Sequence, residues 1–204
     1  MSNAYYDEAK EALAQWNNGN GNIDLDFNSF KLRTELIPRY SFAVPNDEAI
    51  QAIKSLNLPI IEIGAGTGYW ANLIAQSGVD IICFDTYCTK YHHGEWINCW
   101  YEVRNGGPEK IKENPNRALF LCWPDYEKAM ASDCLENYTG DIVIYVGERG
   151  GGCTANDKFF AILDKDFELI KTIEIPQWWG IHDSLFIYKR INKKLVRQIW
   201  LGDY

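Results

Sequence analysis

The chain has 204 residues, 47% of them hydrophobic and 24% charged, a composition that supports one full core and excludes a largely disordered polymer. No apolar run reaches the roughly 18 residues that a membrane helix needs, and the N-terminus carries Asp7 and Glu8 where a secretory leader would be basic and then apolar. With 28 acids against 20 bases the net charge is −8, so a nucleic acid would meet an unfavourable average field.

In chain order, Tyr5 to Trp16 predicts a helix with Ala9, Ala12, Leu13 and Trp16 on one face. It ends in Asn17-Asn18-Gly19-Asn20-Gly21-Asn22, a run that favours turns. Ile23 to Arg39 is less periodic, and its structure stays open. Pro45-Asn46-Asp47-Glu48 opens a second helix with Asn46 as N-cap and two acids near the positive helix end. Ala49, Ile50, Ala52, Ile53 and Leu56 are its apolar face.

From Pro59 the pattern alternates. Strands are expected at 59–63, 80–85, 118–122 and 141–146, with helices at 70–76, about 126–137 and 156–163. Residues 86–117 read as loop with one strand near Asn98 to Val103. Phe167 to Ile175 and Ser184 to Arg190 read as two strands joined through Pro176-Gln177-Trp178-Trp179-Gly180 without a helix. Strands alternating with helices imply a parallel sheet covered on both faces, and the last pair implies one antiparallel strand.

Six cysteines stand at 83, 88, 99, 122, 134 and 153, none in a Cys-x-x-Cys pair. Free thiols in a reducing cytoplasm are the expectation. His92 and His93 are neighbours that point opposite ways in an extended segment, so no metal site is expected.

The most informative stretch is Glu62-Ile63-Gly64-Ala65-Gly66-Thr67-Gly68-Tyr69-Trp70. Closely spaced glycines between a strand and a helix let the backbone approach a ligand, and the helix start offers free N–H groups. Asp85 closes the next strand, where an acid can accept hydrogen bonds from both ribose hydroxyls. The third glycine falls one residue short of the dinucleotide spacing Gly-x-Gly-x-x-Gly, and Glu62 would repel a pyrophosphate but match an ammonium group.

The Glu-x-Gly-x-Gly-x-Gly arrangement, the acid after strand two and the terminal antiparallel pair resemble the class I S-adenosylmethionine-dependent methyltransferases over about residues 40–190. The resemblance implies a three-layer α/β/α Rossmann-like sandwich with a seven-stranded, mostly parallel sheet and one antiparallel strand near the C-terminus. It also implies that Glu62, Gly64, Gly66 and Gly68 hold the methionine part of S-adenosylmethionine and that Asp85 binds ribose, with S-adenosylhomocysteine as product. The family's motif after strand four often reads Asp/Asn-Pro-Pro-Tyr in members that methylate amines. Here it reads Cys122-Trp123-Pro124-Asp125-Tyr126, and Cys122 stands where the amide or carboxylate belongs, which weakens any claim of adenine methylation.

Trp123 and Tyr126 are candidates for lining a substrate pocket by cation–π attraction, with Tyr40 as a lid residue and Cys153 beside the acceptor. Gly147-Glu148-Arg149-Gly150-Gly151-Gly152 lacks a P-loop ending but follows a strand whose end faces the same crevice. Glu148 and His182 are the catalytic candidates. Three regions are expected: residues 1–40 as a helical cap or lid, 41–190 as the methyltransferase-like domain, and 191–204 as a basic extension carrying Lys193, Lys194 and Arg197. The expected function is methyl transfer to a small molecule, or to a protein side chain. A non-catalytic S-adenosylmethionine-binding or partner-binding module is the alternative, and a nicotinamide-dependent oxidoreductase ranks third.

Overall fold

A computed structural model describes residues 2–17, 23–87, 90–91, 94–149 and 151–191. Cys88, His92 and His93 and the basic residues from Lys193 onward lie outside the described residues.

Two helices, α1 (Ala4–Asn17) and α2 (Ile23–Leu36), lead through a 3-10 turn (Ile37–Arg39) to α3 (Asp47–Ser55). The side chain of Asn46 accepts from the Ala49 N–H and caps α3, as its sequence implied. Then follow β1 (Ile60–Ile63), α4 (Tyr69–Gln76), β2 (Ile81–Asp85), the short pair β3 (Lys90–Tyr91) and β4 (Gly94–Glu95), β5 (Val103–Asn105), α5 (Lys110–Glu113), β6 (Ala118–Cys122), α6 (Met130–Asn137), β7 (Ile142–Gly147), α7 (Asp157–Asp166), β8 (Phe167–Glu174) and β9 (Ser184–Arg190).

The sheet has seven strands in the order β5-β2-β1-β6-β7-β9-β8. Strands β5, β2, β1, β6 and β7 run parallel, while β9 is antiparallel to both β7 and β8. Alternate residues supply two cores. Ile60, Phe120, Ile144 and Leu185 pack under α1, α3 and α4, whereas Ile61, Leu119, Val143 and Tyr145 pack under α6 and α7. This is the expected three-layer sandwich. Each fully buried aliphatic side chain contributes about 1.5–3 kcal/mol, and Phe120→Ala, at a site with no exposed surface, should cost about 3–5 kcal/mol.

Three local expectations shift. The segment before β5 forms no ladder over 96–102, because its backbone turns to loop partners: the Ile97 N–H donates to the Pro38 carbonyl and the Trp100 N–H to Thr67. The sheet strand starts only at Val103. The helix expected from Tyr126 starts at Met130, since the Asp125 carboxylate accepts from the Glu127 N–H and holds a turn there. Residues 23–36, open in sequence, are helical. Leu36 is buried and Leu32 packs on the core, but Arg33 shares that inward face and Phe30 is exposed, which spoils the apolar period.

Candidate functional site at the C-terminal edge of the sheet

Sheet register brings one row of polar side chains together. On the face covered by α1 and α4, Ile60 and Phe120 point into the core, and the next residues of the same parity are Glu62 on β1 and Cys122 on β6. Glu62 pairs with Phe120, Cys122 with Val146, and Gly147 with Ser184. Glu62, Cys122, Glu148 and Asp183 therefore gather where the parallel strands end and β9 begins.

Gly64, Gly66 and Gly68 all adopt left-handed φ values, +80°, +54° and +72°, which L residues reach only with strain. A Cβ on Gly66 would come within 2.7 Å of the Trp96 ring, so the turn admits no side chain there. The Gly66 N–H donates to Asp85 Oδ2 at 2.9 Å and the Tyr87 N–H to Asp85 Oδ1 at 2.8 Å. Asp85 thus clasps the glycine turn from the end of β2.

Glu62 has almost no exposed surface, and its Oε2 has no hydrogen-bond partner among the described residues. Burial, reinforced by the Asp85 charge, pushes its carboxyl well above the usual range. An incoming cation would favour the charged form of such a carboxyl. An orphan carboxyl oxygen beside a bare glycine turn is compatible with the amino-acid end of S-adenosylmethionine, which Glu62 and the glycine turn could hold, with Asp85 available for ribose hydroxyls.

The opposite half of the site centres on Trp123. Its φ of +51° is unusual for a bulky residue. The indole stacks on Phe42 at 5.0 Å, lies under the Arg33 guanidinium at 5.1 Å, and donates its Nε1–H to Asp183 Oδ1 at 2.7 Å. Asp183 is buried, and burial raises its carboxyl to about 7 against the lowering effect of the Trp123 N–H and the Arg33 charge. Burial likewise drives the Cys122 thiol well above its ordinary range, with Glu62 and Asp183 adding to the shift. Cys122 is not a thiolate at neutral pH.

Glu148 is bound differently. Its Oε2 accepts from the Cys153 N–H at 2.7 Å and its Oε1 from the His182 N–H at 2.8 Å. Burial pushes its carboxyl up, but these donors outweigh it and hold the group below the usual range. Glu148 therefore ties the loop after β7 to the loop before β9, and a carboxylate saturated in this way is a poor base. The His182 imidazole is 74% exposed, with Nδ1 3.6 Å from Glu148. Cys153 is exposed, and Tyr126 lies on the surface with its hydroxyl donating to Glu127.

Tyr40 is buried, stacked between Tyr5 and Trp100, and its hydroxyl donates to Glu8 at 2.6 Å. Its carbonyl accepts from the Thr67 hydroxyl. Tyr40 thus welds the N-terminal helices to the glycine turn, while Arg33 and Phe42 from the same region reach Trp123. Sequence reasoning missed Arg33 and Asp183. The first sits in the segment whose periodicity it breaks, and the second was overshadowed by the neighbouring histidine.

Comparison with known proteins places the fold. The sequence matches no protein-family model and no curated protein sequence. Among solved structures, the magnesium protoporphyrin IX methyltransferase of Synechocystis PCC 6803 with bound SAH aligns over 93% of this chain and 97% of that chain, with TM-score 0.51 and 11% identity. The same enzyme with bound SAM aligns over 93% and 95%, with TM-score 0.51 and 9% identity. The chain therefore has the class I methyltransferase fold. Among the described residues no helix is long and apolar enough to cross a membrane, and no group of three or more His, Cys, Asp or Glu side chains could hold a metal ion.

Proposed function

We propose that the protein transfers a methyl group from S-adenosylmethionine to a small molecule. The observation that carries this reading is the buried Glu62 carboxyl, whose Oε2 lacks a partner among the described residues, set against three left-handed glycines. An ammonium group would satisfy that oxygen and favour its charged form, which the pyrophosphate of a nicotinamide cofactor would not do. Gly64, Gly66 and Gly68 give the amino-acid end a close backbone, and Asp85 takes the ribose. When bound, the sulfonium supplies a methyl group already activated for displacement.

The chain's remaining task is to hold the acceptor in line and to take any proton it loses. Asp183, with a carboxyl near 7 and its orientation set by the Trp123 N–H, is the group suited to that proton. Glu148 positions the loops beside it, and the Trp123 and Phe42 rings give the acceptor an apolar wall. The described cysteines are free thiols, which supports a reducing compartment such as the cytoplasm. A protein side chain fits less well at a site covered by α1 and α2.

Calorimetry with S-adenosylmethionine, S-adenosylhomocysteine and NAD tests the reading. Binding of the first two with no NAD binding is the expected result, and the reverse would overturn it. A screen for S-adenosylhomocysteine release with metabolite extracts then separates an enzyme from a silent binding module, which would bind the cofactor and release nothing.

A further inference from the structure

Arg33 is a mostly buried cation on α2 whose Nε and Nη2 have no hydrogen-bond partner among the described residues. Its guanidinium lies 5.1 Å over the Trp123 ring, close enough to Asp183 and Glu148 for their charges to act on it, yet it forms no ion pair with either. Burial pulls its pKa below the ordinary range, because the neighbouring acids offset only part of the desolvation. A guanidinium is always charged, so such burial is tolerated only where something else supplies the missing acceptors. The two unbonded nitrogens, Nε and Nη2, form the edge of the fork that binds a carboxylate with two parallel bonds.

We infer that the acceptor of the proposed methyl transfer carries a carboxylate, which Arg33 grips through its Nε–Nη2 edge above Trp123. This inference rests on the methyl-transfer reading. Three features narrow the ligand. Asp183 and Glu148 make the surroundings acidic, which favours a planar monoanion over a phosphate dianion. Trp123 and Phe42 form a stacked aromatic wall beside the guanidinium, which suits an acid with an apolar body. The exposed Cys153 and His182, both bonded through their backbone N–H groups to Glu148, form the solvent-facing side of the same cluster. Because Arg33 belongs to α2, the acid would also tie the N-terminal helices down onto the end of β6.

The test uses the full chain with saturating S-adenosylhomocysteine and three acid–amide pairs: acetate with acetamide, benzoate with benzamide, and indole-3-acetate with indole-3-acetamide. Calorimetry should give at least a tenfold preference for the acid in one pair or more. Arg33→Met should abolish that preference, and Arg33→Lys, which keeps the charge but loses the fork, should retain only part of it. Circular dichroism of both variants establishes that they fold. If no pair favours the acid, or if Arg33→Met keeps the preference, the inference is overturned. S-adenosylhomocysteine binding is scored separately: a chain that binds it but prefers no acid loses only this inference. A chain that binds no S-adenosylhomocysteine yet prefers acids through Arg33 keeps the anion site and loses the methyl-transfer reading.

Discussion

The two halves of the site are assembled by opposite means. The glycine-turn half is contiguous: Glu62, the three left-handed glycines and Asp85 come from one strand–turn–helix–strand unit, and backbone geometry does most of its work. The Trp123 half is scattered, with Arg33 from α2, Phe42 from the loop before α3, Trp123 after β6, Glu148 after β7 and Asp183 before β9. The sheet order sets β6, β7 and β9 side by side, and contacts to Trp123 add Arg33 and Phe42 from outside the sheet. A local unit can bind a constant ligand part whatever the rest of the chain does. A composite one can change its ligand by altering any of several loops.

Gly66→Val tests the local half with the largest expected effect. The new side chain meets the Trp96 ring and must adopt a φ of +54°, a β-branched residue in the left-handed region. Affinity for S-adenosylhomocysteine should fall by about a hundredfold or more, roughly 2.7 kcal/mol, in calorimetry of the folded variant. Retained affinity would mean that the ligand does not cross this turn.

Asp183 tests the composite half through pH. Its folded carboxyl titrates at about 7, above the unfolded value of about 3.9. The native state therefore holds the extra proton between these values, and stability falls as pH rises from about 4 to about 7, then levels off. The span corresponds to a few kcal/mol, on the order of 1.4 per unit. Glu62 contributes with the same sign and Glu148 with the opposite one, its lowered carboxyl losing stability as pH falls through its folded value. Asp183→Asn keeps an acceptor for the Trp123 N–H and removes the titration. Its melting temperature should drop less than the wild type's between pH 5 and pH 7.5, and an unchanged drop would assign the slope to other groups.

Asp85→Ala should weaken S-adenosylhomocysteine binding by at least tenfold, about 1.4 kcal/mol, because the Gly66 and Tyr87 N–H groups lose their acceptor and the proposed ribose contact goes with it. An unchanged affinity would remove Asp85 from the site while leaving the fold as described.

What the sequence revealed follows the same division. The strands expected at 59–63, 80–85, 118–122 and 141–146 are present, because buried parallel strands read as short apolar runs between glycines and turns, whereas the one expected near 98–103 begins only at Val103. The glycine turn was equally legible, since its spacing is a local property. Arg33 was not, because a polar residue on the inward face of α2 erases the period that would have revealed the helix. Trp123 was legible as an aromatic candidate, but its partner Asp183 lies sixty residues on, and only the β7–β9 pairing makes them neighbours. Tyr126 shows the converse: its motif position suggested a wall, yet the turn held by Asp125 leaves it on the surface.

His182 gives the smallest expected effect and the sharpest contrast with its bonding partner. Glu148 takes the backbone N–H of His182 at 2.8 Å, while the imidazole stands mostly in water with Nδ1 3.6 Å from the carboxylate. His182→Ala leaves that N–H in place, and solvent screening leaves the ring–carboxylate attraction little to contribute. Stability should change by less than about 0.5 kcal/mol, the range of ordinary surface substitutions. Glu148→Ala instead strands the Cys153 and His182 N–H groups and should cost about 1–3 kcal/mol. Denaturant midpoints measured at constant slope separate the two. Equal losses would mean that the ring, rather than the peptide, carries the link between the loops, and His182 would return as a candidate base ahead of Asp183.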